Sequence, residues 1–146
     1  MYRPKWSPEI LQELERTLRR SPFNLRPEKA AYRIACMKSA FPEAAINGYE
    51  TLTPSMPNDP KDRHVLAAAV YGKVDAIITL NIRDFPLGSL TQFGIDRLTP
   101  DQFLVHQWHC RVAEQVIDLK KDMETHLTLL ERMVPNFAGL VRTAEK

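Results

Sequence analysis

The stretch from Pro57 to Pro86, PNDPKDRHVLAAAVYGKVDAIITLNIRDFP, constrains this chain more than any other. Asp59 is suited to cap a helix, and Pro60 suits a first helical position, where a missing N–H costs nothing. Asp62 then falls in the first turn, where the helix dipole favours a carboxylate. Val65, Leu66, Ala68, Ala69 and Val70 give a small-residue apolar helix able to pack closely on a sheet, and Gly72 ends it. Ala76 to Leu80 is a short, nearly continuous apolar run, as expected of a strand buried on both faces. Asn81 and Asp84 follow at its carboxyl end, the edge at which open α/β sheets bind ligands.

Taken singly, each acid has a plain structural reading. Asp59 is a cap, Asp62 a dipole partner, and Asp84 a turn residue before Phe85-Pro86. Taken together, a helix start and a strand end bring carboxylates to one edge of a sheet, and clustered carboxylates are how proteins hold Mg²⁺ or Mn²⁺.

The segment resembles the second half of a PIN domain of the kind found in VapC-like toxins. An Asp opens an Ala-rich helix, a strand ends in Thr-x-Asn, and Asp-Phe-Pro follows; Asp62, Thr79, Asn81 and Asp84 fall on the matching positions. The resemblance extends back to Trp6-Ser7-Pro8-Glu9-Ile10-Leu11. It implies an α/β fold, a PIN-like three-layer α/β/α sandwich with a short parallel sheet and a helical C-terminal extension. The expected division is residues 1–99 for the PIN-like domain and 100–146 for the extension.

Composition excludes little but is compatible with this. At 146 residues and 44% hydrophobic, the chain can bury one sizeable core. Its net charge of +2 does not by itself identify a nucleic-acid partner. Cys36 and Cys110 form no CxxC pair, so reduced thiols in a cytoplasmic protein are the simplest reading, with a bridge left open. No apolar run approaches the length of a membrane span.

Ser7-Pro8-Glu9 is a helix start: cap, first-position proline, first-turn acid. Ile10, Leu11, Leu14 and Leu18 line one face of the helix that follows. By pattern Glu13 is a solvated flank of that stripe. The resemblance makes it a metal-site glutamate, with Glu9 and Glu15 matching less well. A second helix is expected from Pro27 to about Ala40, with Ala31, Ile34, Ala35 and Lys38 near one face. Ala44 to Tyr49 is a short strand candidate. Leu87 to Leu90 reads as a helical turn, Gly94 to Leu98 as a last strand, and Thr99-Pro100-Asp101 as another helix start. Val112 to Leu130 carries a helical period, Pro135 breaks it, and Phe137, Leu140 and Val141 suggest a last short helix. This tail either covers the core or binds a partner helix. His106, His109 and Cys110 stand at helical spacing without a second ligand pair, which argues against a zinc site. His64 lies beside Asp62 in sequence but is free to face away from it. Neither a G-x-S-x-G elbow nor a phosphate-binding glycine loop is present.

A PIN domain ordinarily begins with a buried strand ending in an Asp. This sequence starts at Met1-Tyr2, where the second strand is expected. The expectation is therefore a shortened or degenerate relative that self-associates, as a homodimer or higher assembly. The resemblance implies a Mg²⁺- or Mn²⁺-dependent endoribonuclease of a toxin–antitoxin system. In it Glu13, Asp62 and Asp84 are catalytic metal ligands and Thr79 and Asn81 support them. RNA is the substrate, an antitoxin protein a partner, and Lys61, Arg63 and Arg83 are phosphate contacts or plain surface charge. The alternative is a catalytically inactive PIN-like module that binds RNA or an antitoxin without cutting.

Overall fold

Local capping chemistry sets the helix starts. In the computed structural model, which describes residues 2–110, 134–137 and 139, Ser7 accepts a hydrogen bond from the Ile10 N–H and opens α1 (Pro8–Leu18). Asp59 accepts from the Lys61 N–H and opens a 3-10 turn, Pro60–Asp62, which runs directly into α3 (Arg63–Tyr71). Thr99 and Gln102 exchange reciprocal bonds, the Thr99 Oγ1 accepting from the Gln102 N–H and the Gln102 Oε1 from the Thr99 N–H, at the start of α5 (Pro100–Cys110). The remaining helices are α2 (Pro27–Ala40) and α4 (Leu87–Thr91). A two-stranded parallel sheet pairs β1 (Ala76–Ile78) with β2 (Asp96–Leu98). No helix among the described residues is long and apolar enough to cross a membrane.

The chain divides into two compact units. The first comprises Met1–Ile77 and Asp84–Asp96, the second Ile78–Arg83 and Arg97–Lys146. The first unit has two apolar clusters. One joins Trp6, Leu11, Ile34 and Ala44, with Ile10, Leu14 and Met37 against them. The other is built on α3, where Leu66, Ala67, Ala68 and Ala69 pack with Ile46, Tyr49, Met56, Ile77, Phe85, Leu90 and Ile95. In the second unit Arg97 donates to the Ile82 carbonyl at 2.7 Å. There the Asp101 carboxylate accepts from the Asn136 side chain at 2.6 Å and the Phe137 N–H at 3.0 Å, beside buried Val134.

Three expectations are corrected. The strand from Ala44 to Tyr49 reduces to one parallel bridge between Trp6 and Ala45. A 3-10 turn at Pro42–Ala44 precedes it, and Gly48 at φ +85° ends the extended backbone. The strand from Ala76 to Leu80 stops at Ile78. Only Ile77 is buried, while Ile78 and Leu80 are 40% and 65% exposed, because the Thr79 hydroxyl captures the Asn81 N–H and turns the chain. The buried face of α2 is Ala30 and Ile34, with Ala31, Ala35 and Lys38 exposed. The helical period from Val112 to Leu130 and the positions Leu140 and Val141 lie outside the described residues.

Gly72 ends α3 as expected, but not through a left-handed backbone. Its φ is −76°, and Lys73 takes the positive φ, +49°. The glycine is required by space: an added Cβ would stand 2.5 Å from the Ile46 Cδ1 and 3.0 Å from the Ala68 carbonyl oxygen. Gly72→Ala is expected to cost about 1–3 kcal/mol by overpacking. Lys73→Gly, which removes a strained side chain from the left-handed region, should cost nothing or stabilise slightly. Urea midpoints of the two variants check this, and equal midpoints would show that Ile46 yields freely.

Candidate metal centre

Asp62 and Asp84 reach each other from different elements of the first unit. Asp62 closes the 3-10 turn that the Asp59 cap starts, while Asp84 closes another 3-10 turn, Ile82–Asp84, after β1. The Asp62 carboxyl is pushed above the usual carboxylate range. Burial is the main cause, then a hydrogen bond shared with Asp84 and the Asp84 charge; Lys61 pulls it down, and the Glu13 charge adds a smaller upward push. Asp62 Oδ2 is buried and has no hydrogen-bond partner among the described residues. Both carboxylates are largely withdrawn from water, with Asp62 20% and Asp84 14% exposed at the side chain.

Lys61 places its ammonium 2.6 Å from Asp84 Oδ2 and 3.9 Å from Asp62 Oδ2. Its own pKa is raised, chiefly by the hydrogen bond to Asp84. The residue expected as a surface phosphate contact thus serves here as counter-ion to the acid pair. Its side chain is 64% exposed and reaches in from solvent, so the pair is screened. Arg63 donates from Nε to the Asn58 carbonyl at 3.3 Å and so braces the loop before the turn.

Glu13 projects from α1, half exposed, with its Oε1 3.5 Å from His64 Nε2. The His64 ring faces Glu13 rather than turning away, a contact that nothing in the local sequence signals. Its Nδ1 donates to the Lys61 carbonyl at 3.1 Å. The sequence does encode that half of the arrangement, since the carbonyl stands three residues back along a helical turn. Asn58 was also missed. It is 4% exposed, and neither polar atom of its side chain has a hydrogen-bond partner among the described residues. Thr79, Asn81 and Arg83 belong to the second unit. There Thr79 Oγ1 accepts from the Asn81 N–H at 3.0 Å, and Arg83 is exposed.

No group of three Asp, Glu, His or Cys side chains among the described residues forms a ready-made metal cage. The donors nevertheless suit a hard dication in kind. Asp62 and Asp84 face one ammonium, that of Lys61, one buried oxygen on Asp62 has no hydrogen-bond partner among the described residues, and the charge of a third carboxylate, Glu13, acts on Asp62. Mg²⁺-type sites commonly use one or two carboxylates and complete the shell with water. His106 joins no such group among the described residues, while Cys36 is free and exposed.

A family model described as PIN domain matches residues 2–83, a span that includes Glu13 and Asp62 and stops one residue before Asp84. A protein of Mycobacterium tuberculosis named "Putative ribonuclease VapC50" is 47% identical over 105 residues, which cover 65% of this chain and 62% of that relative. The chain therefore spans a little under two thirds of the relative's length. No solved structure matches. The family model covers more than half of the sequence, and its α/β pattern with a small parallel sheet is the one observed: this chain belongs to the PIN domain family.

Proposed function

We propose that this chain is a divalent-metal-dependent endoribonuclease of the toxin–antitoxin type, hydrolysing RNA phosphodiester bonds with Mg²⁺ or Mn²⁺. The observation that carries the reading is the Asp62–Asp84 pair, two largely buried acids from separate elements that share one counter-ion, the Lys61 ammonium at 3.9 Å and 2.6 Å. Buried like-charged acids are costly to maintain without a cation, and such sites are enriched in function. Similarity to a relative named as a ribonuclease points the same way.

In this reading Asp62, Asp84 and Glu13 hold the cation. When bound, it would lower the pKa of a water and offset charge on the scissile phosphate. With a cation held by these acids, the Lys61 ammonium, which lies 2.6 Å from Asp84 Oδ2, would stand beside the site and could meet a phosphate oxygen. Arg63 and Arg83 add sequence-independent attraction for RNA. Thr79 and Asn81 shape the turn after β1. An antitoxin protein as partner, self-association, and residues 100–146 as a helical extension belong to the same reading.

The test is incubation of the chain with a mixed RNA pool and Mn²⁺, with and without a chelator. Cleavage that stops on chelation and resumes on adding Mn²⁺ or Mg²⁺ is the expected outcome. RNA retention without cleavage at any metal concentration would replace the enzyme with a binding module.

A further inference from the structure

Positive charge gathers at the connection between α1 and α2. From Arg16 to Arg33 the chain has six Lys or Arg (Arg16, Arg19, Arg20, Arg26, Lys29 and Arg33) against one acid, Glu28, a local net charge of +5 in a chain whose total is +2. The remaining residues therefore carry −3. All six cations are exposed, and among the described residues none is in an ion pair. A single-sign field of this kind attracts polyanions.

Local stability accounts for only part of the cluster. Arg16 and Arg19 suit the C-terminal end of α1, where the helix dipole favours cations. Arg26 and Lys29 stand at the opposite kind of end. Arg26 is the N-cap of α2 and makes no side-chain cap bond, and Lys29 lies in the first turn. Folding would favour a capping oxygen and an acid at these places, so both cations cost stability where they stand. The reversal itself is firmly built. The Asn24 N–H donates to the Arg20 carbonyl and the Leu25 N–H to the Leu18 carbonyl, each at 2.9 Å, and Leu18 and Ala30 are buried on either side of it. Arg26, Lys29 and Arg33 then recur at spacings of three and four, along one stripe of α2. Phe23 in the turn is 46% exposed, and Tyr32, three residues after Lys29, is 70% exposed. Aromatic rings set among cations are the means by which proteins hold single-stranded nucleic acid.

We propose that the α1–α2 hairpin is a docking surface for single-stranded RNA, its cations meeting successive phosphates while Phe23 and Tyr32 stack unpaired bases. The choice of RNA among polyanions rests on the nuclease reading. Arg16 and Arg19 follow Glu13 along the axis of α1 by about 4.5 Å and about 9 Å, so a strand held on the hairpin runs toward the candidate metal centre. The surface needs no metal, and it favours single strands over duplex.

The test is binding of a short fluorescent RNA without self-pairing to the full chain, by anisotropy, in the presence of a chelator. Arg19→Gln, Arg20→Gln and Arg26→Gln combined are expected to weaken binding at least about tenfold at low salt. The slope of log affinity against log salt should shrink by about 2, at roughly 0.7 per phosphate contact. A control removing the same charge elsewhere, Arg3→Gln with Lys38→Gln and Lys73→Gln, should change affinity less than about twofold and leave the slope as it is. Tyr32→Ala should weaken the single strand at least about fivefold and a duplex of the same sequence hardly at all. Circular dichroism and melting midpoints verify folding, and losing Arg26 from the N-cap should not lower the midpoint. Equal losses in the two triple variants would overturn the proposal in favour of diffuse charge attraction. A poly-glutamate peptide that binds the hairpin when RNA does not would assign the surface to an acidic protein segment instead. If the hairpin variant binds RNA normally while the unaltered chain cleaves it with Mn²⁺, the docking surface falls and the nuclease reading stands. If RNA binds through the hairpin and no metal supports cleavage, the nuclease reading falls and the docking surface stands.

Discussion

Asp62→Asn is expected to abolish metal-dependent RNA cleavage, by at least about a hundredfold, and at the same time to make the protein more stable at neutral pH. The two effects share one cause. Burial, the hydrogen bond with Asp84 and the charges of Asp84 and Glu13 all raise the proton affinity of Asp62 in the folded state. A folded pKa above the unfolded one means that the native chain holds this proton more tightly. Stability then falls as pH rises from the ordinary carboxylate range through the raised value, and the cost is constant above it. The Asn variant is isosteric and uncharged, so its advantage should be full at pH 7, shrink through that window and vanish below the ordinary carboxylate range. A gain on the order of 1 kcal/mol, a few degrees in melting midpoint, is the scale for relieving one such conflict. The weak Lys61–Asp62 contact at 3.9 Å subtracts little, since the lysine is mostly in solvent. Melting curves from pH 3 to 8 for both proteins, beside the cleavage assay, check the pairing. A variant that loses activity together with stability at pH 7 would assign Asp62 a structural role instead.

The contrast between legible and illegible parts of this chain follows the range of the interactions. Helix starts at Ser7-Pro8, Asp59-Pro60 and Thr99-Pro100 are written in three or four neighbouring residues, and the structure forms each of them. The face of α2 is not, because an Ala-rich segment with polar residues all round gives no dominant stripe; Ile34 goes inside by packing with Trp6, Leu11 and Ala44, which lie outside the helix. The length of β1 also escapes a periodicity argument. Ile78 and Leu80 read as core by hydropathy, but a side-chain turn at Thr79 takes the chain out of the sheet first. At the candidate centre, element order alone suggests that Asp62 and Asp84 lie at one edge. The Lys61–Asp84 contact and the Glu13–His64 contact join residues 23 and 51 positions apart, and no local pattern encodes them. Gly72 shows a third case, a correct boundary for a different reason. Glycine commonly ends helices by its backbone freedom, whereas here the packed Ile46 side chain is what excludes a methyl group.

Leu66→Ala is expected to be strongly destabilising, at about 3 kcal/mol. Leu66 is fully buried in the middle of α3, and its neighbours Ala67, Ala68 and Ala69 are 5% exposed or less. Alanines next to Leu66 let the helix sit close to its surroundings, and such small neighbours cannot expand to fill the space a truncated leucine leaves. Against a total stability of about 5–15 kcal/mol, the loss is large enough to read as a shift of roughly 10 °C in melting midpoint. Leu66→Met, which conserves volume, should cost less than about 1.5 kcal/mol and serves as control. The consequence reaches the candidate centre because α3 follows directly from the turn that carries Asp62 and holds His64 in its first turn. Mn²⁺ affinity of the Ala variant, measured well below its melting midpoint, should therefore stay near that of the Met control if α3 keeps its place and only its margin is reduced. A parallel drop in affinity would show that the packing of Leu66 fixes the position of the acids as well as the stability of the fold.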